Sequence, residues 1–183
     1  MSNQTIKIRP GLYLSSFALT DKPALLEHLG TRDVYKTTLN IPYPYTEGDA
    51  DWWLSRRMEA MRGQLNETTF AIREGGGKLI GSIGAEGFSP GLSHKAEIGY
   101  WLAKPFWGQG VMTETVRAFV DYALTELELL RLTAHVFEGN VASARVLEKN
   151  GFKLEGKLRK HFIKDGEFID ARLYGLLKED LSS

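Results

Sequence analysis

The chain predicts a mixed α/β fold in which helices and strands do not alternate regularly. Three observations carry this. A run of three strands occupies mid-chain, the first two joined by Gly75-Gly76-Gly77; a long amphipathic helix follows; and two strands close the chain across Asp165-Gly166. The order reads strand, helices, three strands, helix, strand, helix, two strands. A doubly wound sheet would need strand and helix to alternate throughout, so that class is excluded.

Each element has a local reason. Ile6, Ile8, Leu12 and Leu14 mark an extended start interrupted by Pro10-Gly11. Thr20-Asp21 opens a helix through Leu25, Leu26 and Leu29 that ends near Gly30. Ile41-Pro42-Tyr43-Pro44-Tyr45 resists helix because a proline biases its predecessor towards extended backbone. Thr46 with Asp49 three residues on is a capping arrangement for a helix carrying Trp53, Leu54, Met58 and Met61. Thr69–Arg73, Leu79–Ala85 and Ala96–Leu102 read as the three middle strands. Val116, Phe119, Val120, Ala123, Leu124 and Leu127 then fall on one face of the long helix. Leu132–Phe137 is a further strand, Asn140 caps a short helix through Ala144 and Leu147 that stops at Asn150-Gly151, and Lys153–Ile163 and Phe168–Leu177 complete the chain.

Composition narrows the function classes. The 183 residues fit one domain, 1–183, with 43% hydrophobic residues to supply its core. Lysine plus arginine equal aspartate plus glutamate at 23 each, which argues against a dedicated nucleic-acid binder. There is no cysteine, so disulfides, thiolate metal sites and a cysteine nucleophile are excluded. His28, His94, His135 and His161 are too dispersed for a local metal-binding spacing, and no metal is expected. Residues 1–10 lack the apolar core of a secretory leader, and no run approaches the ~18 apolar residues of a membrane span. A soluble, cytoplasmic protein is expected, with no membrane partner.

The strongest chemical signal is a strand, then Trp107-Gly108-Gln109-Gly110-Val111-Met112-Thr113, then a helix. Glycines let backbone approach a ligand, and a helix start offers unpaired N–H groups and a positive dipole end, which together suit phosphate. A Walker-type loop would need Lys and Ser/Thr after Gly110, where Val111-Met112 stand. A dinucleotide fingerprint would need a small residue at Thr113 and a strand directly before its first glycine. Either the loop holds another phosphate-bearing ligand, or its glycines only shape a turn into the helix.

Further motifs distinguish these. The chain carries Ile8-Arg9-Pro10, the Ile41–Thr46 loop, Glu97-Ile98-Gly99-Tyr100-Trp101-Leu102, the glycine loop, and Asn140 through Ser143 and Arg145 to Gly151-Phe152. Together these resemble the GNAT superfamily of N-acetyltransferases over nearly the whole chain. Asn140-x-x-Ser143 and Gly151-Phe152-Lys153-Leu154-Glu155-Gly156 look most like the Rim-type branch, which acetylates N-terminal amines of ribosomal proteins. The resemblance implies a mostly antiparallel central sheet with flanking helices, and a V-shaped opening between Glu97–Leu102 and the parallel strand Leu132–Phe137. The pantetheine arm of acetyl-CoA would lie there along backbone of Tyr100, Trp101 and Leu102. Its pyrophosphate would meet N–H groups of Gly108, Gln109, Gly110, Val111, Met112 and Thr113, with Asn140, Ser143 and Arg145 as further contacts. Coenzyme A would be the product, and the family leaves room for a homodimer. Trp107 and Met112 depart from the usual residues, but backbone contacts should tolerate both.

Acetyl transfer needs a neutral amine, a donor for the developing oxyanion and a proton for the leaving thiolate. An α-amine has a reference pKa near ~8 against ~10.4 for lysine, so a protein N-terminus demands less of a base. Glu97 stands at the family's frequent base position; otherwise it is a strand carboxylate in a salt bridge. The family's usual acid, a tyrosine seven residues after the asparagine, is replaced here by Leu147. Ser143 is the acid that the Rim-type likeness implies, or else a capping or cofactor contact. A backbone N–H near Tyr100 would serve the oxyanion.

Other side chains are expected to do less. Trp52 and Trp53 are expected in the core, Arg56, Arg57 and Arg62 on a solvated helix face, His135 inside the core and His161 exposed. The competing functions are a small-molecule amine acetyltransferase (polyamine, aminoglycoside or amino-acid derivative) and a non-catalytic acetyl-CoA-binding protein.

Overall fold

The computed structural model describes residues 4–62, 68–89 and 92–181; the side chains of Met61 and Arg62, named above, lie outside what is described. The elements are β1 (Thr5–Arg9), β2 (Leu12–Ser15), α1 (Lys22–Leu29), α2 (Arg32–Thr37), α3 (Glu47–Arg62), β3 (Thr69–Glu74), β4 (Lys78–Glu86) and β5 (Lys95–Leu102). After these come α4 (Val111–Thr125), β6 (Arg131–Phe137), α5 (Val141–Glu148), β7 (Lys153–Lys164) and β8 (Glu167–Leu177). They form one sheet in the order β1-β2-β3-β4-β5-β6-β8-β7. Every pairing is antiparallel except β5 with β6.

Both faces of the sheet are covered. Ile80, Ile83, Ile98, Leu132, Ala134 and Val136 pack with Val116, Phe119 and Val120 of α4 and Leu147 of α5. On the other face Ala71 and Leu79 pack with Leu25 and Leu29 of α1, Val34 of α2 and Leu54 of α3. The helices start as their capping residues dictate. Thr46 N–H donates to Asp49 Oδ2 at 2.7 Å while Asp49 N–H donates back to Thr46 Oγ1 at 3.3 Å, a reciprocal cap on α3. Asn140 Oδ1 accepts from Ser143 N–H at 3.2 Å and caps α5.

Three details differ from the sequence expectation. The extended start is a true hairpin, β1 against β2, rather than one interrupted strand. Helix α2 was not foreseen: its six residues are too few to show a helical period, and Val34 alone of them is buried. Trp53 does pack at the second core, edge-on to Phe17 with ring centroids 6.0 Å apart. Trp52 does not; it is 61% exposed, with the Arg56 guanidinium over its ring. One helical position separates the two tryptophans, and a turn of about 100° carries the first off the buried stripe.

A buried ion pair ties the second layer to the sheet. Arg73 of β3 donates to both oxygens of Asp21, at 2.7 and 2.8 Å, and also to Ser15 Oγ, Ser16 O and Gly77 O. Asp21 in turn accepts from the Ala18 N–H at 2.8 Å. The guanidinium therefore joins β2, the β3–β4 turn and the entry to α1. Removing one partner leaves the other charge buried, which typically costs about 3–5 kcal/mol. Asp21→Asn should lower the unfolding free energy by that order, seen as a lower urea midpoint at unchanged slope; an unaltered midpoint would mean the pair is not holding the layers.

Candidate active site

The parallel pairing of β5 and β6 is short. Only Lys95↔Arg131, Ala96↔Leu132 and Glu97↔Thr133 are in register, and beyond them the strands part. Strand β5 stays paired to β4 as far as Leu102, and β6 stays paired to β8 as far as Phe137. Because N–H and C=O of successive residues point to alternate sides, the carbonyl of Ile98 and both backbone groups of Tyr100 face the opening, while the Ile98 N–H makes the last bond of the parallel ladder, to the Thr133 carbonyl. Trp101 instead turns its carbonyl to β4, close against Gly81. The predicted trio of Tyr100, Trp101 and Leu102 thus divides. Tyr100 faces the opening, Trp101 does not, and the carbonyl of Leu102 is taken by the Trp107 indole N–H at 2.7 Å. The Ile98 carbonyl also faces the opening, as strand parity in the sequence dictates.

The opening runs into the glycine turn. Gly108 and Gly110 have φ of +74° and +79°, a region that suits glycine, and Gly110 is the N-cap of α4. A side-chain atom on Gly108 would meet nothing within 4 Å, so its backbone stands open. Gln109 is occupied locally, its amide donating to Pro105 O at 2.7 Å. Trp107 points back to β5 and braces the turn, while Met112, in the first turn of α4, is buried in the core. Both departures from the family pattern thus leave the exposed backbone free. Asn150, unremarked except as a helix stop, donates to Thr113 O at 3.1 Å and Val146 O at 2.8 Å, locking the start of α4 to α5.

Two hydrogen bonds span the opening, one on each face. On the helix α4–α5 face, Tyr100 Oη lies 2.8 Å from Ser143 Oγ. Burial pushes the Tyr100 phenol up to about 12, the Ser143 contact working against that shift. Ser143 therefore combines two roles: its N–H completes the α5 cap, and its hydroxyl is free of the cap and faces the opening. Arg145 is exposed on the same helix. Leu147 is fully buried, so no acid can act from that position.

On the α1–α3 face, Glu97 Oε1 lies 2.8 Å from His135 Nδ1. His135 is not a core histidine, contrary to expectation. It alternates with buried Ala134 and Val136 and so faces the other way, with its side chain 19% exposed. His161, exposed as expected, stacks on it with centroids 4.8 Å apart and planes 17° from parallel. The stack is positioned by a bulge in β7 between Leu158 and Phe162. There Lys160 takes a φ of +51° and its N–H is held by Asp170 Oδ1 at 2.7 Å. Tyr43 and Tyr45 lie on the preceding loop as predicted; Tyr43 is 39% exposed, and Tyr45 packs at the second core.

The fold and this split carry a family signature, and comparison with known proteins agrees. Residues 11–153 match the acetyltransferase (GNAT) domain family, and the chain belongs to it. It is 43% identical over 103 residues to the "Probable N-acetyltransferase YjcK" of Bacillus subtilis, covering 56% of this chain and 57% of that protein. It is 34% identical over 97 residues to the "Ribosomal-protein-serine acetyltransferase" of Escherichia coli, covering 53% and 54%. The chain thus matches little more than half the length of these relatives. The crystal structure of a GNAT-family acetyltransferase from Bacillus anthracis superposes with a TM-score of 0.82 at 25% identity, over 96% of this chain and 99% of that one.

The raised Tyr100 pKa has a consequence with a definite sign. A phenol held protonated in the folded state to about 12, against 10 when unfolded, supports the fold below pH 10 and loses that support as pH rises to 12. Wild type should therefore lose stability relative to Tyr100→Phe across that window. The difference between their 295 nm absorbance titrations should show one tyrosinate forming at about pH 12; formation near pH 10 would contradict the buried contact.

Proposed function

We propose that the protein is an acetyl-CoA-dependent N-acetyltransferase whose acceptor is the N-terminal α-amine of a protein, of the ribosomal-protein type found in the Rim branch. The observation that carries the reading is the split itself. The Ile98 carbonyl and the Tyr100 backbone, with no strand partner on that side, lead directly to the open N–H groups between Gly108 and Thr113. An extended amide-bearing arm ending in a pyrophosphate matches that sequence of donors and acceptors. The likeness to the Escherichia coli ribosomal-protein-serine enzyme supports the choice of acceptor.

The residues present fit this donor. Gly108 to Thr113 would hold its phosphates. Tyr100 and Ile98 would pair with its arm, joined by the Asn140 side-chain N–H₂, whose Oδ1 is already committed to the α5 cap. Acetyl-CoA, when bound, supplies an acetyl thioester whose carbonyl carbon accepts the amine lone pair. The Tyr100 backbone N–H is placed to favour charge on that carbonyl oxygen. On the α5 face, Ser143 holds a hydroxyl proton for the departing sulfur, and the Tyr100 phenol beside it keeps its own proton at neutral pH. On the opposite face the Glu97–His135 pair takes the proton that the amine gives up. Proton donor and proton acceptor thus act from opposite sides of the sheet.

Calorimetric titration should give one-to-one binding of acetyl-CoA in the micromolar range. Gly110→Ala adds about 1–2 kcal/mol of left-handed strain, which the free turn relieves by leaving the conformation that presents its N–H groups, so binding should weaken by up to roughly tenfold. Peptides copying ribosomal-protein N-termini should then turn over faster than a polyamine panel. Faster turnover of the polyamines would move the acceptor to small molecules. Binding without thiol release for any amine would leave a non-catalytic acetyl-CoA-binding protein.

A further inference from the structure

We propose that the base that deprotonates the acceptor amine is His135, and that Glu97 is its positioning residue rather than the base. This rests on the acetyltransferase function proposed above and names the atom within it. Glu97 Oε1 lies 2.8 Å from His135 Nδ1. An ionised carboxylate can only accept, so the proton in this bond sits on Nδ1. That fixes the tautomer and leaves Nε2 with its lone pair, and among the described residues no hydrogen bond occupies Nε2. The arrangement is the carboxylate–imidazole logic in which the acid orients the ring and supports the cation that forms.

The location suits the task. Glu97 stands in the last parallel pair, at the apex of the split, and His135 lies two residues further along β6, where the strands have parted. The imidazole therefore lines the opening on the face opposite Ser143. As a class imidazoles are stronger bases than carboxylates, by roughly two pKa units, and so accept a proton more readily near neutrality. The surroundings are also built. The strained Lys160 bulge brings His161 flat against His135, and Phe162 meets the ring edge-on at 6.1 Å. The ring is thereby restrained on two sides beyond the Glu97 bond.

The charged neighbours are few. Glu97 faces His135 from β5 and His161 from β7, while its β8 partner, Leu173, is apolar. Arg131 and Glu155 pair with each other further along the sheet, and Arg172 pairs with Glu138 at 2.7 Å. In the step, the amine lone pair forms the C–N bond and the C–S electron pair leaves on sulfur. The amine proton passes to His135 Nε2, and one proton from the Ser143 hydroxyl goes to the thiolate. Solvent then returns a proton to the Ser143–Tyr100 side and takes one from the imidazolium, so charge and protons balance.

Long-range ¹⁵N NMR of the histidine-labelled full chain reads the tautomer without turnover. The Nδ1–H form is expected at His135, and the Nε2–H form would overturn the assignment. Kinetics with an N-terminal peptide supply the second arm. His135→Asn should lower kcat by about 10²–10⁴-fold, abolish the acidic limb of the pH–rate profile and leave the acetyl-CoA KM within about twofold. Added imidazole should restore part of the rate in His135→Gly. Glu97→Gln should lower kcat less and keep an acidic limb. An acidic limb that survives in His135→Asn and vanishes in Glu97→Gln would overturn the proposal while leaving the acetyltransferase reading intact. A wild type with an Nδ1–H tautomer and no thiol release would instead overturn the acetyltransferase reading, and this assignment with it.

Discussion

The site depends on an interruption in the sheet. Two parallel strands pair for three residues and then separate, although each remains bonded to its other neighbour. A buried or half-buried strand does not leave backbone N–H and C=O groups unmatched without consequence. Here the mismatch is confined to the Ile98 carbonyl and one side of Tyr100, and the space beside them is what an extended ligand would fill. The split is kept open by different partners on its two arms. Strand β4 holds β5 from Glu97 to Leu102, and β8 holds β6, so closing the gap would break established ladders on both sides.

The side chains around the split follow from strand parity. Even-numbered residues of β5 and β6 turn to α4 and α5, where Ile98, Leu132, Ala134 and Val136 build the larger core and Tyr100 reaches Ser143. Odd-numbered residues turn to α1–α3, placing Glu97 and His135 together. One alternation thus separates a hydroxyl pair from a carboxylate–imidazole pair by the thickness of the sheet. The same logic explains why the unusual Trp107 is compatible with the turn. Its indole satisfies the Leu102 carbonyl, the end group of β5 that the departing strand would otherwise leave open.

Much of this was legible in the sequence, for reasons that differ by element. Helix α4 announced itself because its apolar residues repeat over four turns, and α5 because Asn140 and Gly151 punctuate it. The hairpins were visible in Gly75-Gly76-Gly77 and in Asp165-Gly166, whose φ values of 52° and 79° are those of a tight primed turn. The glycine turn was visible because phosphate chemistry needs backbone rather than particular side chains. Helix α2 was hidden by its shortness, and Trp52 by its adjacency to a tryptophan that packs against the second core. His135 lies off the core because its apolar strand buries one face only: Ala134 and Val136 turn to α4 and α5, while the odd-numbered residues turn to the face of Glu97. The Arg73–Asp21 pair was invisible because its partners are 52 residues apart in the chain.

The central claim is that the backbone groups freed by the split are where the acetyl donor lies, and amide hydrogen exchange with and without coenzyme A tests it most directly. Protection should appear at the N–H group of Tyr100 and at those from Gly108 to Thr113, with the β4–β5 and β6–β8 ladders unchanged. Protection that falls elsewhere, or none at saturating coenzyme A, would contradict the account.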